Sequence, residues 1–158
     1  MTTTITLRQM TDGEYQRLRA AIFEDYAREI ANVNSTSMEE GRQAAARQTA
    51  QLLPDGMASK GHYFWRIVND TGDTVGDLWV RVESDKARAF IWFIGIDEEY
   101  RGQGYSRAAM LALETTVRPL GGQHIDLNVF GDNTVAVRLY ESLGYKPTAM
   151  NMRKELSN

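Results

Sequence analysis

Arg101, Gly102, Gln103, Gly104, Tyr105 and Ser106 stand where an apolar run over residues 89–96 passes, through a charged turn, into a run of helical periodicity over 103–117. A strand-to-helix turn of this kind leaves the first N–H groups of the helix unpaired at the positive end of its dipole, where an anion such as a pyrophosphate can sit. Glycine lets the anion come close to the backbone. A Gly-x-Gly pair alone is weak, because most such pairs are turns or packing points. Two familiar phosphate motifs are excluded: there is no Gly-Lys-Ser/Thr sequence, and Arg107 stands where the dinucleotide fingerprint needs its third glycine. A second pair of chemistry-bearing residues follows about thirty positions on. Asn133 and Tyr140 are seven apart, which puts both on one face of a helix, two turns from each other. A lone tyrosine on a short helix is ordinarily a core aromatic.

The composition bounds what those residues can be used for. The 158 residues carry 18 Lys and Arg against 21 Asp and Glu, a net charge of -3, so no global basic field draws the chain to nucleic acid. The absence of cysteine removes disulfides, thiolate metal ligands and a cysteine nucleophile together. His62 and His124 lie far apart without a ligand cluster, so no metal site is expected. No apolar run approaches the roughly 20 residues of a spanning helix, and the opening Met1, Thr2, Thr3, Thr4 reads as neither signal nor anchor. A cytoplasmic protein away from membranes, built as a single domain over 1–158, is the expectation.

The elements that must position these residues can be read in order. Residues 5–10 alternate as a strand. Thr11 and Glu14 have capping-box spacing before a helix whose stripe is Tyr15, Leu18, Ile22, Tyr26 and Ile30. Ser37 and Glu40 repeat the pattern before a second, alanine-rich helix to about Leu53, with a thin apolar face that suits the outside. A hairpin over 63–82 leads through a turn to the strand at 88–96. Its non-alternating Phe90, Ile91, Trp92, Phe93 and Ile94 predict coverage on both faces at the sheet centre, and Gly95 predicts a bulge or a close backbone approach. After the helix to Val117, residues 123–130 read as a strand parallel to 88–96 through a right-handed crossover. A short helix over 134–143, ended by Gly144, and a last strand over 145–156 complete a mixed sheet with helices packed on it.

Arg101-x-x-Gly104-x-Ser106 after a central strand, with Asn133-x-x-Ala136-x-x-x-Tyr140-x-x-x-Gly144-Tyr145 downstream, strongly resembles the Gcn5-related N-acetyltransferase (GNAT) family. The resemblance in element order covers nearly the whole chain, and its one departure is Ser106, where the family has glycine or alanine. It implies an α/β fold with a mostly antiparallel sheet and one parallel pair of splayed middle strands. It implies acetyl-CoA as co-substrate, with the pyrophosphate on the backbone N–H groups of Gly102, Gln103, Gly104, Tyr105 and Ser106 and with Arg101 opening the loop. The pantetheine amides would pair with the strand edge from Ile94 to Ile96, and the Ile96 N–H would face the thioester carbonyl as it gains charge. Asn133 would contact the pantetheine or phosphate arm, and Arg138 is one candidate for the 3'-phosphate. Tyr140 would protonate the leaving thiolate.

The resemblance implies an N-acetyltransferase acting on a small-molecule or peptide amine by direct attack in a ternary complex, since no cysteine exists to carry an acyl-enzyme. The proton acceptor is not legible. The strand at 88–96 carries no carboxylate, which leaves Glu24, Asp25, Glu83, Asp126 or a water chain, and Tyr26, Trp65, Trp79 and Trp92 could line an acceptor pocket. The missing acid keeps open a non-catalytic acyl-CoA binder or sensor on the same fold. The acceptor's identity, the acyl-chain preference and a homodimeric state, common in the family, are left undecided by the residues.

Overall fold

In the computed structural model the described residues are 3–157, and the chain divides into two compact units, 1–127 and 128–158. The first unit holds a five-stranded sheet of β1 (Ile5–Gln9), β2 (His62–Asn69), β3 (Thr74–Glu83), β4 (Arg88–Ile96) and β5 (His124–Leu127), in that spatial order. Neighbours are antiparallel except β4 and β5, which run parallel, as the crossover through a helix requires. The mixed, mostly antiparallel sheet expected from the sequence is therefore the observed one.

Helix α1 (Asp12–Asn34) begins where the spacing predicts: Thr11 accepts from the Glu14 N–H, and Glu14 returns a bond from the Thr11 N–H, closing the capping box. Ser37 caps α2 (Met38–Leu52) by accepting from the Glu40 N–H, the first half of the same pattern. The two helices lie close because Gly41 has no side chain; a Cβ there would stand 2.4 Å from the Ala27 carbonyl oxygen. On the sheet face under α1, Phe64 and Trp79 pack with Met10, Tyr15, Leu18 and Leu53 into one core. The opposite face buries Ile67, Leu78 and Val80 completely. Helix α3 (Tyr105–Val117) packs against β1 and β4 there through Ala109, Met110, Leu113 and Val117.

Two expectations for the sheet are corrected and one is met. The non-alternating run in β4 is a bulge rather than double coverage: Trp79 pairs with Phe93 and Val80 with Ile91, so Trp92 has no cross-strand partner and is 43 % exposed. Gly95 takes the other role foreseen for it, close approach, since a Cβ on its neighbour Gly76 would fall 2.3 Å from the Gly95 carbonyl oxygen. Strand β5 is four residues long, not eight.

The second unit holds α4 (Thr134–Ser142), capped by Asn133 and closed at Gly144, whose φ of +95° turns the chain so that the Tyr145 N–H reaches the Tyr140 carbonyl. No strand forms over 145–157, against expectation, and Met150, Met152 and Leu156 are exposed. Pro147 lacks a donor, and unbranched methionines stand where strands favour β-branched or aromatic residues.

His62 is buried at the edge of the α1-side core, where its Nδ1 accepts from the Trp79 indole N–H at 3.0 Å. Burial, helped by the nearby Arg81 charge, pushes its pKa from the ordinary 6.5 down to about 4. The unfolded chain takes up a proton below pH 6.5 that the folded chain refuses. The His62 contribution to stability is thus complete above pH 6.5 and is lost as pH falls toward 4. Thermal unfolding followed by tryptophan fluorescence should show a midpoint that drops between those pH values, and His62→Gln, which keeps an acceptor but cannot titrate there, should flatten the drop.

Candidate functional site

The turn between β4 and α3 is built on four hydrogen-bonded ties. After β4 the Asp97 N–H returns to the Val75 carbonyl at 2.8 Å, and a single 3-10 turn over Glu98–Tyr100 carries the chain round. The Arg101 guanidinium then folds back, its Nε donating to the Ile96 carbonyl at 3.0 Å. Gly102 and Gly104 hold φ of +77° and +84°, the left-handed region that glycine adopts without strain. Gly104 is the N-cap of α3 and no side chain caps that helix, whereas Thr11, Ser37 and Asn133 cap the other three described α-helices. Tyr105, the first helical residue, is held by Asn69, whose Nδ2 donates to the Tyr105 hydroxyl at 3.3 Å while its Oδ1 gathers the β2–β3 turn through the Thr71 and Asp73 N–H groups. The Gln103 carbonyl accepts from the Thr3 hydroxyl at 3.3 Å, and Ser106 is partly buried.

Next to this turn lies an open strand edge. The β4–β5 ladder runs only from the Arg88–His124 pair to the Ile91–Leu127 pair. Beyond Ile91, β4 has no partner in β5. Backbone groups along a strand point alternately to either side, and the Asp97 N–H points to β3. The N–H groups of Ile96 and Ile94 therefore point to the side where β5 has ended. The Ile96 carbonyl on that side is taken by Arg101, so donors are left in excess. Sequence reasoning named Ile94, Ile96 and residues 101–106, and the fold brings them together. It missed Asn69 and the inward bond of Arg101, neither of which any spacing signals.

In the second unit Asn133 uses its side-chain oxygen to cap α4, accepting from the Ala136 N–H at 3.3 Å. Tyr140 is half-buried, its ring 5.8 Å from that of Tyr145, and burial raises its hydroxyl above the ordinary 10. It is protonated at neutral pH.

The four acids singled out as proton acceptors are all engaged by cations at the surface of the first unit: Glu24 by Arg42 at 2.8 Å, Asp25 by Arg28 at 3.1 Å, Glu83 by Lys86 at 3.1 Å and Asp126 by Arg88 at 2.9 Å. Their cations hold the carboxyls of Glu24 and Glu83 below the ordinary range, which makes them poorer bases. Of the four aromatics, Trp65 and Trp79 are core, Tyr26 bonds Gln48 between α1 and α2, and Trp92 stacks on Trp79 with its ring centre 5.5 Å away.

The carboxylates that sequence reasoning missed line a cleft of about 650 Å³ between α1 and the α1-side face of the sheet. Its floor is the buried Arg66 of β2, which lies 3.2 Å from Asp77 of β3 and 3.6 Å from Asp97. Phe93 of β4 and Leu18 of α1 form the apolar wall. Burial raises the Asp77 carboxyl above its ordinary value, against the opposing pull of Arg66.

The sequence model of the Acetyltransferase (GNAT) family matches residues 20–145. The chain belongs to this family. Among its relatives is an uncharacterized N-acetyltransferase, YdgE, of Bacillus subtilis, 33 % identical over 153 residues that cover 96 % of this chain and 98 % of the other. The B. subtilis acetyltransferase YycN has a crystal structure that matches with a TM-score of 0.84 at 31 % identity, over 98 % of this chain and all of that one. Spermidine N-acetyltransferase of Vibrio cholerae, solved with CoA and spermine, shares the fold at 20 % identity, with a TM-score of 0.66 over 98 % of this chain and 88 % of the other. Among the described residues of this GNAT chain no helix is long and apolar enough to cross a membrane.

If Arg101 is the brace that joins the glycine turn to β4, Arg101→Ala should speed amide hydrogen exchange over 98–104 by about tenfold or more while α1 and β2 keep their protection. Unchanged exchange in the turn would show that the glycines hold it alone.

Proposed function

We propose that this GNAT acetyltransferase takes acetyl-CoA as co-substrate and moves the acetyl group directly to the nitrogen of a small-molecule or peptide amine. The observation that carries the reading is the adjacency, within one unit, of an uncapped helix N-terminus at Gly104 and an open strand edge with the Ile94 and Ile96 N–H groups turned outward. A coenzyme with a diphosphate at one end and two amides and a thioester along its arm asks for those two features in that order. The N–H groups of residues 102–106 receive the diphosphate, the β4 edge pairs with the amides, and the Ile96 N–H stabilises charge on the thioester oxygen. The V. cholerae neighbour, seen with CoA and spermine, supports an amine and a coenzyme on this fold.

In this reading the amine attacks the thioester carbonyl, the tetrahedral centre collapses, and the thiolate leaves with a proton from Tyr140. A phenol whose pKa burial has raised transfers its proton late, as a hydrogen bond that strengthens while charge builds on sulfur. Asn133 contacts the coenzyme arm, and Arg138 meets the 3'-phosphate. The chain 1–158 acts as one catalytic domain.

Isothermal titration calorimetry with acetyl-CoA and a CoA-release assay over spermidine, lysine methyl ester and a tripeptide with a free N-terminus test the proposal together. Binding with turnover of at least one amine is expected; binding with no CoA release would make the protein a coenzyme binder instead. Gly104→Val, which forces a β-branched residue into φ of +84°, should abolish acetyl-CoA binding. Tyr140→Phe should lower turnover by more than about tenfold and leave CoA affinity within about twofold. Unchanged turnover would remove Tyr140 from the chemistry.

A further inference from the structure

We infer that the amine acceptor occupies the acidic cleft between α1 and the sheet, and that Asp77 is the catalytic base that takes its proton. This rests on the acetyl-transfer reading above and adds to it the residue that reading lacks.

The geometry begins with register. Asp77 pairs with Gly95 across the β3–β4 ladder, so the two stand directly opposite on neighbouring strands. In such a pair the side chains share one face of the sheet. Phe64, Trp79 and Phe93 fix which face it is: they lie two positions from Arg66, Asp77 and Gly95, and they pack toward α1. Asp77 therefore rises into the cleft one strand away from the β4 edge that carries the Ile94 and Ile96 N–H groups. Between the carboxylate and that edge stands Gly95, which contributes no side chain. The Phe93 ring takes the space that a Gly95 side chain would fill, since a Cβ there would come within 2.8 Å of it, and it lines the cleft in that place. An amine against that ring has the carboxylate on one side and the open edge on the other.

Charge agrees with the geometry. Arg66 on β2 touches both Asp77 and Asp97, Glu14 and Arg17 face the cleft from α1, Asp73 from the β2–β3 turn, and Glu99 with Tyr100 from the turn after β4. Glu14 is held by Arg8 in a paired contact at 2.9 and 3.0 Å, which keeps its carboxyl ionised down to about 2. The remaining carboxylates still outnumber the two guanidiniums, so the cleft favours a cation. The proton affinity of Asp77 is raised, because burial disfavours its charge, and Asp97 adds to the effect while Arg66 opposes it.

An ammonium enters, Asp77 takes one proton and becomes a carboxylic acid, and the freed amine attacks the thioester carbon. The carbon–sulfur bond breaks, the departing thiolate takes the Tyr140 proton, and the second proton lost by nitrogen restores the Tyr140 hydroxyl by way of solvent. The products are an amide and a thiol, and the Asp77 proton returns to solvent.

The test is the pH dependence of kcat for the fastest amine of the panel in wild type, Asp77→Asn and Asp77→Glu, with acetyl-CoA affinity measured alongside. Asp77→Asn should reduce kcat by about 10²-fold or more, keep acetyl-CoA affinity within about twofold, and lose the acid-side limb of the profile. Asp77→Glu should restore the limb with a shifted midpoint. If Asp77→Asn keeps the wild-type limb, or loses activity evenly at all pH values, the base is elsewhere. Should Asp77→Asn fail to fold, Asp77→Glu decides: an unmoved midpoint overturns the assignment and a moved one supports it. Absence of acetyl-CoA binding in the wild type would instead overturn the acetyl-transfer reading.

Discussion

The structure turns on one inequality of length: β4 is nine residues long, and the strand beside it, β5, is four. A backbone N–H with no partner is costly when shielded from water and a ready template when open to it. The chain holds this edge open with specific devices. The bulge at Trp92 adds twist just past the last β4–β5 pair, and Arg101 covers the Ile96 carbonyl, which leaves the edge rich in donors. On its other side β4 is drawn tightly to β3, where Gly76 lets the Gly95 carbonyl approach to a distance no side chain would permit. One side of β4 is locked and the other is free.

The same short turn serves two opposite charges. Residues 97–100 contribute Asp97 and Glu99 to the acidic cleft, and the next residues, from Arg101, open the turn that presents N–H groups at the start of α3. Arg66 keeps this economical. Buried under α1, it is neutralised by Asp77 and Asp97 together, and removing either carboxylate would leave a charge shielded from water with a weakened partner. Asn69 performs the corresponding task for the polar backbone, binding the β2–β3 turn with one end of its amide and Tyr105 with the other. An acidic cleft and the positive end of a helix thus sit one turn apart in the chain without cancelling.

Much of this was legible in the residues because it is local. Capping-box spacing at Thr11 and Ser37, helical stripes, and the glycines before α3 report interactions that span a few positions, and α1, α2 and α3 begin where those signals put them. What was not legible depends on pairs of strands. A run without alternation in β4 reads the same whether the strand is covered on both faces or slips by one residue at Trp92. Asp77 reads as an ordinary polar position in a strand. Its meaning arises only from register, which sets it opposite a residue with no side chain and beside the guanidinium of Arg66. A last strand was expected over 145–156, but a strand needs a partner as well as a place in the order of elements, and with Pro147 and two methionines the segment forms none among the described residues.

The most direct measurement is amide hydrogen exchange, read residue by residue by NMR, at Ile94 and Ile96 with and without a saturating concentration of acetyl-CoA. Both N–H groups should exchange at least about tenfold more slowly in the complex, while Gly95 and Asp97, which face β3, change little. Acetyl-CoA bound with Ile94 and Ile96 exchanging as fast as in the free protein would contradict the assignment of this edge to the coenzyme arm.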